Sequence, residues 1–112
     1  MNRDILQEKV DACGIKFFVE DKGVGVARAY LYILRNDLHE HPFGLMEDVY
    51  VDEKLRGQGL GRDLVKRVIA EARAQDCYKL ICTSRYGKED SVHALYVRLG
   101  FADHGKEFRI DF

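Results

Sequence analysis

Arg56-Gly57-Gln58-Gly59-Leu60-Gly61 lies between a strand-like run, Leu45 to Val51, and a helix-like run, Leu60 to Ala74. A strand, a glycine turn and a helix in that order make a cradle for an anion. Glycines at 57, 59 and 61 let the backbone turn without Cβ clashes, and the first N–H groups of the helix have no preceding carbonyl to bind. The helix adds the positive end of its dipole, so a pyrophosphate could be held largely by main chain. A P-loop would continue into Gly-Lys-Ser/Thr, and a dinucleotide fingerprint would read Gly-x-Gly-x-x-Gly with an acidic residue about twenty positions on. The spacing here is Arg-x-x-Gly-x-Gly.

Outward from this loop, Leu60, Leu64, Val65, Val68, Ile69 and Ala72 form one apolar stripe, the pattern of a helix packed on a sheet. Towards the N-terminus, Ile15 to Glu20 and Gly25 to Leu34 are rich in β-branched and aromatic residues. Asp21-Lys22-Gly23 joins them with turn chemistry, so they read as a hairpin. Asn2 to Ala12 places Ile5, Leu6 and Val10 at helical spacing and predicts a short helix stopped by Gly14. Arg35 to Pro42 reads as a polar loop leading to the strand Gly44 to Val51, and could face substrate. Towards the C-terminus, Tyr78 to Thr83 reads as a strand. A helix capped at Asp90 or Ser91 runs to about Leu99 and stops at Gly100, and Phe101 to Phe112 is a last extended segment. The order α-β-β-β-α-β-α-β, without repeats or linkers, predicts an α/β protein, a mixed sheet flanked by helices.

The Arg56 to Gly61 spacing resembles the acetyl-CoA signature of the GNAT superfamily of N-acetyltransferases, Gln/Arg-x-x-Gly-x-Gly/Ala. Ala94-Leu95-Tyr96-Val97-Arg98-Leu99-Gly100-Phe101 resembles that family's second signature, a tyrosine-bearing helix ending at Gly-Phe. The resemblance covers roughly residues 15 to 112. A closer likeness to glucosamine-phosphate N-acetyltransferases is carried by Glu47-Asp48, Cys77-Tyr78-Lys79 and the ending Gly105 to Phe112. It implies one GNAT acyl-CoA N-acyltransferase domain over residues 1–112, shortened at the N-terminus by a strand and helix that most such members carry. It also implies acetyl-CoA as cosubstrate, gripped by Arg56, Gly57, Gln58, Gly59, Leu60, Gly61 and Arg62. The backbone of Val49 and Val51 would bond the pantetheine and the thioester oxygen where the strand splays from its neighbour. A C-terminal strand reaching to a partner implies a homodimer, which would also cover an exposed sheet edge.

Transfer of an acetyl group from a thioester to an amine needs a base for the ammonium and a proton for the departing thiolate. Glu47 is the candidate base, directly or through water, with Asp48 the second choice; a buried carboxylate there would have a raised pKa. Strict alternation puts Glu47, Val49 and Val51 on one face and Met46, Asp48 and Tyr50 on the other. Glu47 could equally be an ion-pair partner at a strand end, and the two valines ordinary buried residues. Tyr96 is the candidate acid on the strength of the resemblance. At reference pKa values near 10 for the phenol and 8.5 for the thiol, proton transfer is nearly balanced. A tyrosine on an amphipathic helix is otherwise a packing aromatic.

Eighteen basic and nineteen acidic residues among 112, net charge -1, give no field that argues for nucleic acid or an anionic membrane surface as partner. No run of about eighteen apolar residues or secretory leader is present, so the expected location is cytoplasmic. Cys13, Cys77 and Cys82 form no Cys-x-x-Cys pair and His39-x-His41 lacks a third ligand, so no metal is expected. The reading is an enzyme that acetylates a small-molecule primary amine in a ternary complex. Acetylation of a protein N-terminus or lysine, and a non-catalytic acyl-CoA-binding module, are the alternatives.

Overall fold

A computed structural model describes residues 3–85, 87 and 89–112. Four strands form one sheet in the order β1-β2-β3-β4, with β1 Ala12–Asp21, β2 Val24–Leu34, β3 Phe43–Val51 and β4 Leu80–Cys82. The first three are antiparallel neighbours, and β4 joins β3 in parallel through the crossover helix α1, Leu60–Ala74. A two-residue turn of Lys22 and Gly23, both at positive φ (53° and 80°), closes the β1–β2 hairpin. That turn matches the twist of the strands it joins.

The predicted stripe on α1 is its buried face: Leu64, Val65, Val68 and Ala72 pack on Ala27, Ala29, Leu31, Ile33 and Met46. Leu31, Met46, Val65 and Val68 are the largest fully buried side chains, so one side of the sheet carries the core. The helix ends in a Schellman motif with Asp76 left-handed (φ 59°): Cys77 N–H donates to the Ala72 carbonyl at 3.0 Å, and Asp76 N–H to Arg73 at 3.0 Å. This reversal feeds the chain into β4, whose start is fixed by Tyr78 N–H to the Pro42 carbonyl (2.9 Å) and Gly44 N–H to the Lys79 carbonyl (2.9 Å). The loop before β3 packs there as well, with the His39 and Tyr78 rings 4.6 Å apart.

Both ends of the chain depart from expectation. Residues 3–11 form no helix; Ile5 and Leu6 are 97% and 87% exposed. An amphipathic segment this short cannot hold helical structure with nothing to pack against. Residues 101–112 form no helix or strand, although Phe108, Ile110 and Phe112 alternate with charged residues as in a strand. The radius of gyration of 16.6 Å, against about 13 Å for a compact chain of this length, reflects these projecting ends.

Candidate active site

The glycine loop leaves β3 through Asp52, whose Oδ1 accepts the Lys54 N–H at 3.1 Å and caps the single turn Glu53–Leu55. Gly57 and Gly59 then take φ of 82° and 85°, a conformation that costs a residue with a Cβ and is open to glycine. Gly59 caps α1 with its carbonyl, which accepts the Asp63 N–H at 3.0 Å. Among the described residues, no carbonyl or side chain accepts from the N–H groups of Gly57 to Arg62. Gly57, Gln58, Gly59 and Arg62 are exposed, whereas Leu60 and Gly61 are half-buried; a Cβ on Gly61 would stand 3.6 Å from Val51 Cγ2. The loop therefore offers free amides at the positive end of a fifteen-residue helix.

Arg56 faces back into the fold. Its Nε donates to the Val51 carbonyl at 3.0 Å and its guanidinium lies 5.7 Å from the Tyr50 ring centroid. The Val51 carbonyl thus already accepts one hydrogen bond, from Arg56. Among the described residues no side chain hydrogen-bonds the Val49 backbone.

Beside the loop the sheet opens. β3 pairs with β4 only from Gly44 to Met46, and β4 ends at Cys82, so the outer edge of residues 47–51 has no neighbouring strand among the described residues. Within this unpaired stretch β3 also bulges. Arg28 pairs with Tyr50 and Tyr30 with Glu47, so Asp48 and Val49 together oppose the single residue Ala29, and Asp48 adopts φ 52°. The extra residue breaks the strict alternation expected of the strand. Glu47 and Tyr50 share the face of Tyr30 and Arg28, whereas Val49 and Val51 pack on the α1 side with Met46. Glu47 is thus directed away from the helix and the two valines towards it.

The remaining candidate arrives on α2, Ala94–Arg98, which follows a wide helical turn at Glu89–His93 in place of the longer capped helix expected. Gly100 (φ 105°) ends α2, with Phe101 N–H donating to the Tyr96 carbonyl at 3.0 Å; the two rings sit 5.4 Å apart. His93 Nε2 donates to the Arg85 carbonyl at 3.1 Å and so serves packing. Tyr96 packs against the core and has its pKa pushed up to about 12, by burial first, then by Cys82 and by the Glu47 carboxylate. Burial and Glu47 likewise push the Cys82 thiol up to about 11. Three elements therefore bring Glu47, Cys82 and Tyr96 within electrostatic reach of one another where β3 and β4 part. A phenol at about 12 holds its proton more firmly than the reference value implied, which alters the expected balance of proton transfer. Cys82 joins the cluster because it ends β4; only the β3–β4 register could have disclosed that. Among the described residues no three His, Cys, Asp or Glu side chains are grouped to hold a metal ion, and no helix is long and apolar enough to cross a membrane.

The profile of the Acetyltransferase (GNAT) family matches residues 2–101. Glucosamine 6-phosphate N-acetyltransferase of Trypanosoma brucei brucei is 40% identical over 68 residues, covering 61% of this chain and 44% of that protein. The match thus spans less than half of that relative's length. Among solved structures, a putative acetyltransferase from Agrobacterium tumefaciens str. C58 superposes with a TM-score of 0.79 at 31% identity, covering 88% of this chain and 69% of that one. A Trypanosoma brucei acetyltransferase superposes with a TM-score of 0.76 at 30% identity, covering 90% and 69%.

Proposed function

Because this chain belongs to the GNAT family of acetyltransferases, we propose that it moves an acetyl group from acetyl-CoA to the primary amine of a small molecule by direct attack in a ternary complex. The observation that carries this reading is the loop of unoccupied amides beside the opening between β3 and β4, with Glu47 and Tyr96 within electrostatic reach of each other. The free N–H groups of Gly57 to Arg62 and the Arg62 side chain suit a diphosphate, and the unpaired edge at Val49 suits an amide-bearing arm. The bound thioester supplies the activated acetyl group and a thiolate leaving group.

Glu47, on the face away from α1, takes a proton from the incoming ammonium, which is the form most alkylamines have at neutral pH. The freed amine attacks the thioester carbon while a backbone N–H near Val49 meets the carbonyl oxygen, an effect worth roughly 3 kcal/mol per donor where it has been measured. As the C–S bond breaks, Tyr96 steadies the thiolate. With its pKa near 12 against about 8.5 for a thiol, the phenol donates a hydrogen bond and keeps its proton. The nitrogen gives up its second proton to solvent, solvent protonates the thiolate, and the proton on Glu47 returns to water, so one proton is released per turnover.

The relative named above supports a phosphorylated amino sugar as the acceptor. The unpaired alternation of Phe108, Ile110 and Phe112 supports a homodimer in which that segment finds a strand partner. Release of free thiol from acetyl-CoA, followed across a panel of amino sugars, alkylamines and peptides, tests the activity. Turnover with small amines is expected; turnover with peptides alone would point to protein acetylation, and cofactor binding with no turnover to a non-catalytic module.

A further inference from the structure

The sheet face opposite α1 carries three cross-strand rows formed by the register of β1, β2 and β3. They are Gly14–Tyr32–Leu45, Lys16–Tyr30–Glu47 and Phe18–Arg28–Tyr50. The middle row sets a cation and a carboxylate on either side of one aromatic ring. Their backbone positions are two strand spacings apart, about 10 Å. Tyr30 and Tyr32 stack nearly parallel, with an interplanar angle of 8° and centroids 6.2 Å apart. The Tyr32 ring lies over Gly14, where a Cβ would come within 3.1 Å of it, so the missing side chain lets the ring lie flat. Lys16 Nζ stands 5.8 Å from the Tyr30 centroid and 5.3 Å from that of Phe18, and the Arg28 guanidinium 4.9 Å from that of Tyr50. Among the described residues, neither Lys16 nor Arg28 has a carboxylate within ion-pair distance.

We propose that this face is the acceptor platform: a compact amine lies over Tyr30 and Tyr32 with its nitrogen at Glu47 and an anionic group, phosphate or carboxylate, at Lys16 and Arg28. The inference rests on the acyl-transfer reading for the role of Glu47. Charge order is what selects the ligand. A molecule with an ammonium at one end and an anion at the other matches the row in one orientation only, and that orientation delivers the amine to the opening between β3 and β4. A plain amine loses the Lys16 contact and can lie either way. A flat or ring-shaped spacer is favoured because the two phenol faces offer apolar contact and little to hydrogen-bond along their length.

The test compares an aminohexose phosphate with its unphosphorylated parent as acceptors for wild-type protein, Lys16→Ala and Lys16→Arg. Lys16 is exposed, so neither substitution disturbs the core. Wild-type KM is expected to be lower for the phosphorylated acceptor. Lys16→Ala should raise that KM about tenfold, the size of a lost charge-assisted contact, with little change in kcat or in the KM of the parent sugar, and Lys16→Arg should restore it. Equal KM values for the two acceptors, or an equal loss for both in Lys16→Ala, would overturn the platform. If no amine is turned over, the acyl-transfer reading falls, and calorimetry of the two sugars on CoA-saturated protein decides the platform separately. Selective binding of the phosphorylated sugar, weakened in Lys16→Ala, upholds it; binding of neither overturns it.

Discussion

Glu47 and Tyr96 come from elements far apart in sequence, yet the carboxylate of one adds to burial and to the electrostatic influence of Cys82 in raising the pKa of the phenol of the other. Electrostatic coupling at this opening gives the protein a measurable alkaline signature. Tyr96 is pushed up from 10.0 to about 12 and Cys82 from 9.0 to about 11, so both bind protons more tightly folded than unfolded. Groups raised in this way contribute stability that is complete below the unfolded pKa and is lost as pH rises through the folded one. Stability should therefore decline between about pH 9 and 12, and denaturant titrations of Tyr96→Phe and Cys82→Ala should show a shallower decline than wild type.

Replacing the phenol separates binding from chemistry. Tyr96→Phe keeps the ring packed on Phe101 and removes the hydroxyl proposed to hydrogen-bond the leaving thiolate. The expected result is a kcat lower by about 10²-fold with the acetyl-CoA KM nearly unchanged, read by steady-state kinetics. A parallel rise in KM would move Tyr96 from the chemical step to cofactor binding.

Glu47→Gln should abolish most turnover near pH 7 and recover part of it at alkaline pH, where more of the amine is already neutral. An unchanged pH profile between about pH 6 and 9 would remove Glu47 from the mechanism.

The bulge at Asp48 puts Val49 and Val51 on the face opposite Glu47, and its left-handed backbone selects the residue. Asp48→Val should destabilise the fold by about 1–2 kcal/mol, since a β-branched residue resists positive φ. Asp48→Gly should be close to neutral, because eased strain offsets the added chain entropy. Urea denaturation of the two variants checks this ordering.

The elements whose partners lie within the chain were legible in the sequence: the glycine loop, the α1 stripe and the β1–β2 hairpin are local patterns that the fold satisfies internally. The end of the helix that carries Tyr96 was legible from Gly100-Phe101. The bulge was not, because Glu47-Asp48 reads as two ordinary polar strand positions and only pairing with β2 shows that Ala29 faces two residues. The facing of Tyr30 and Lys16 with Glu47 was hidden for the same reason. The two chain ends misled because their periodicities meet no surface to pack on among the described residues.

Coenzyme A binding by the backbone between β3 and α1 is the claim on which the rest depends. The most direct measurement is two-dimensional NMR of the amide groups of Gly57 to Arg62 during titration with coenzyme A. These resonances, those of Gly59, Leu60 and Gly61 above all, should shift together and saturate, and the shifts should shrink in Gly59→Ala, whose backbone resists the required φ of 85°. Saturable binding that leaves these amides unmoved, or no binding at all, would contradict it.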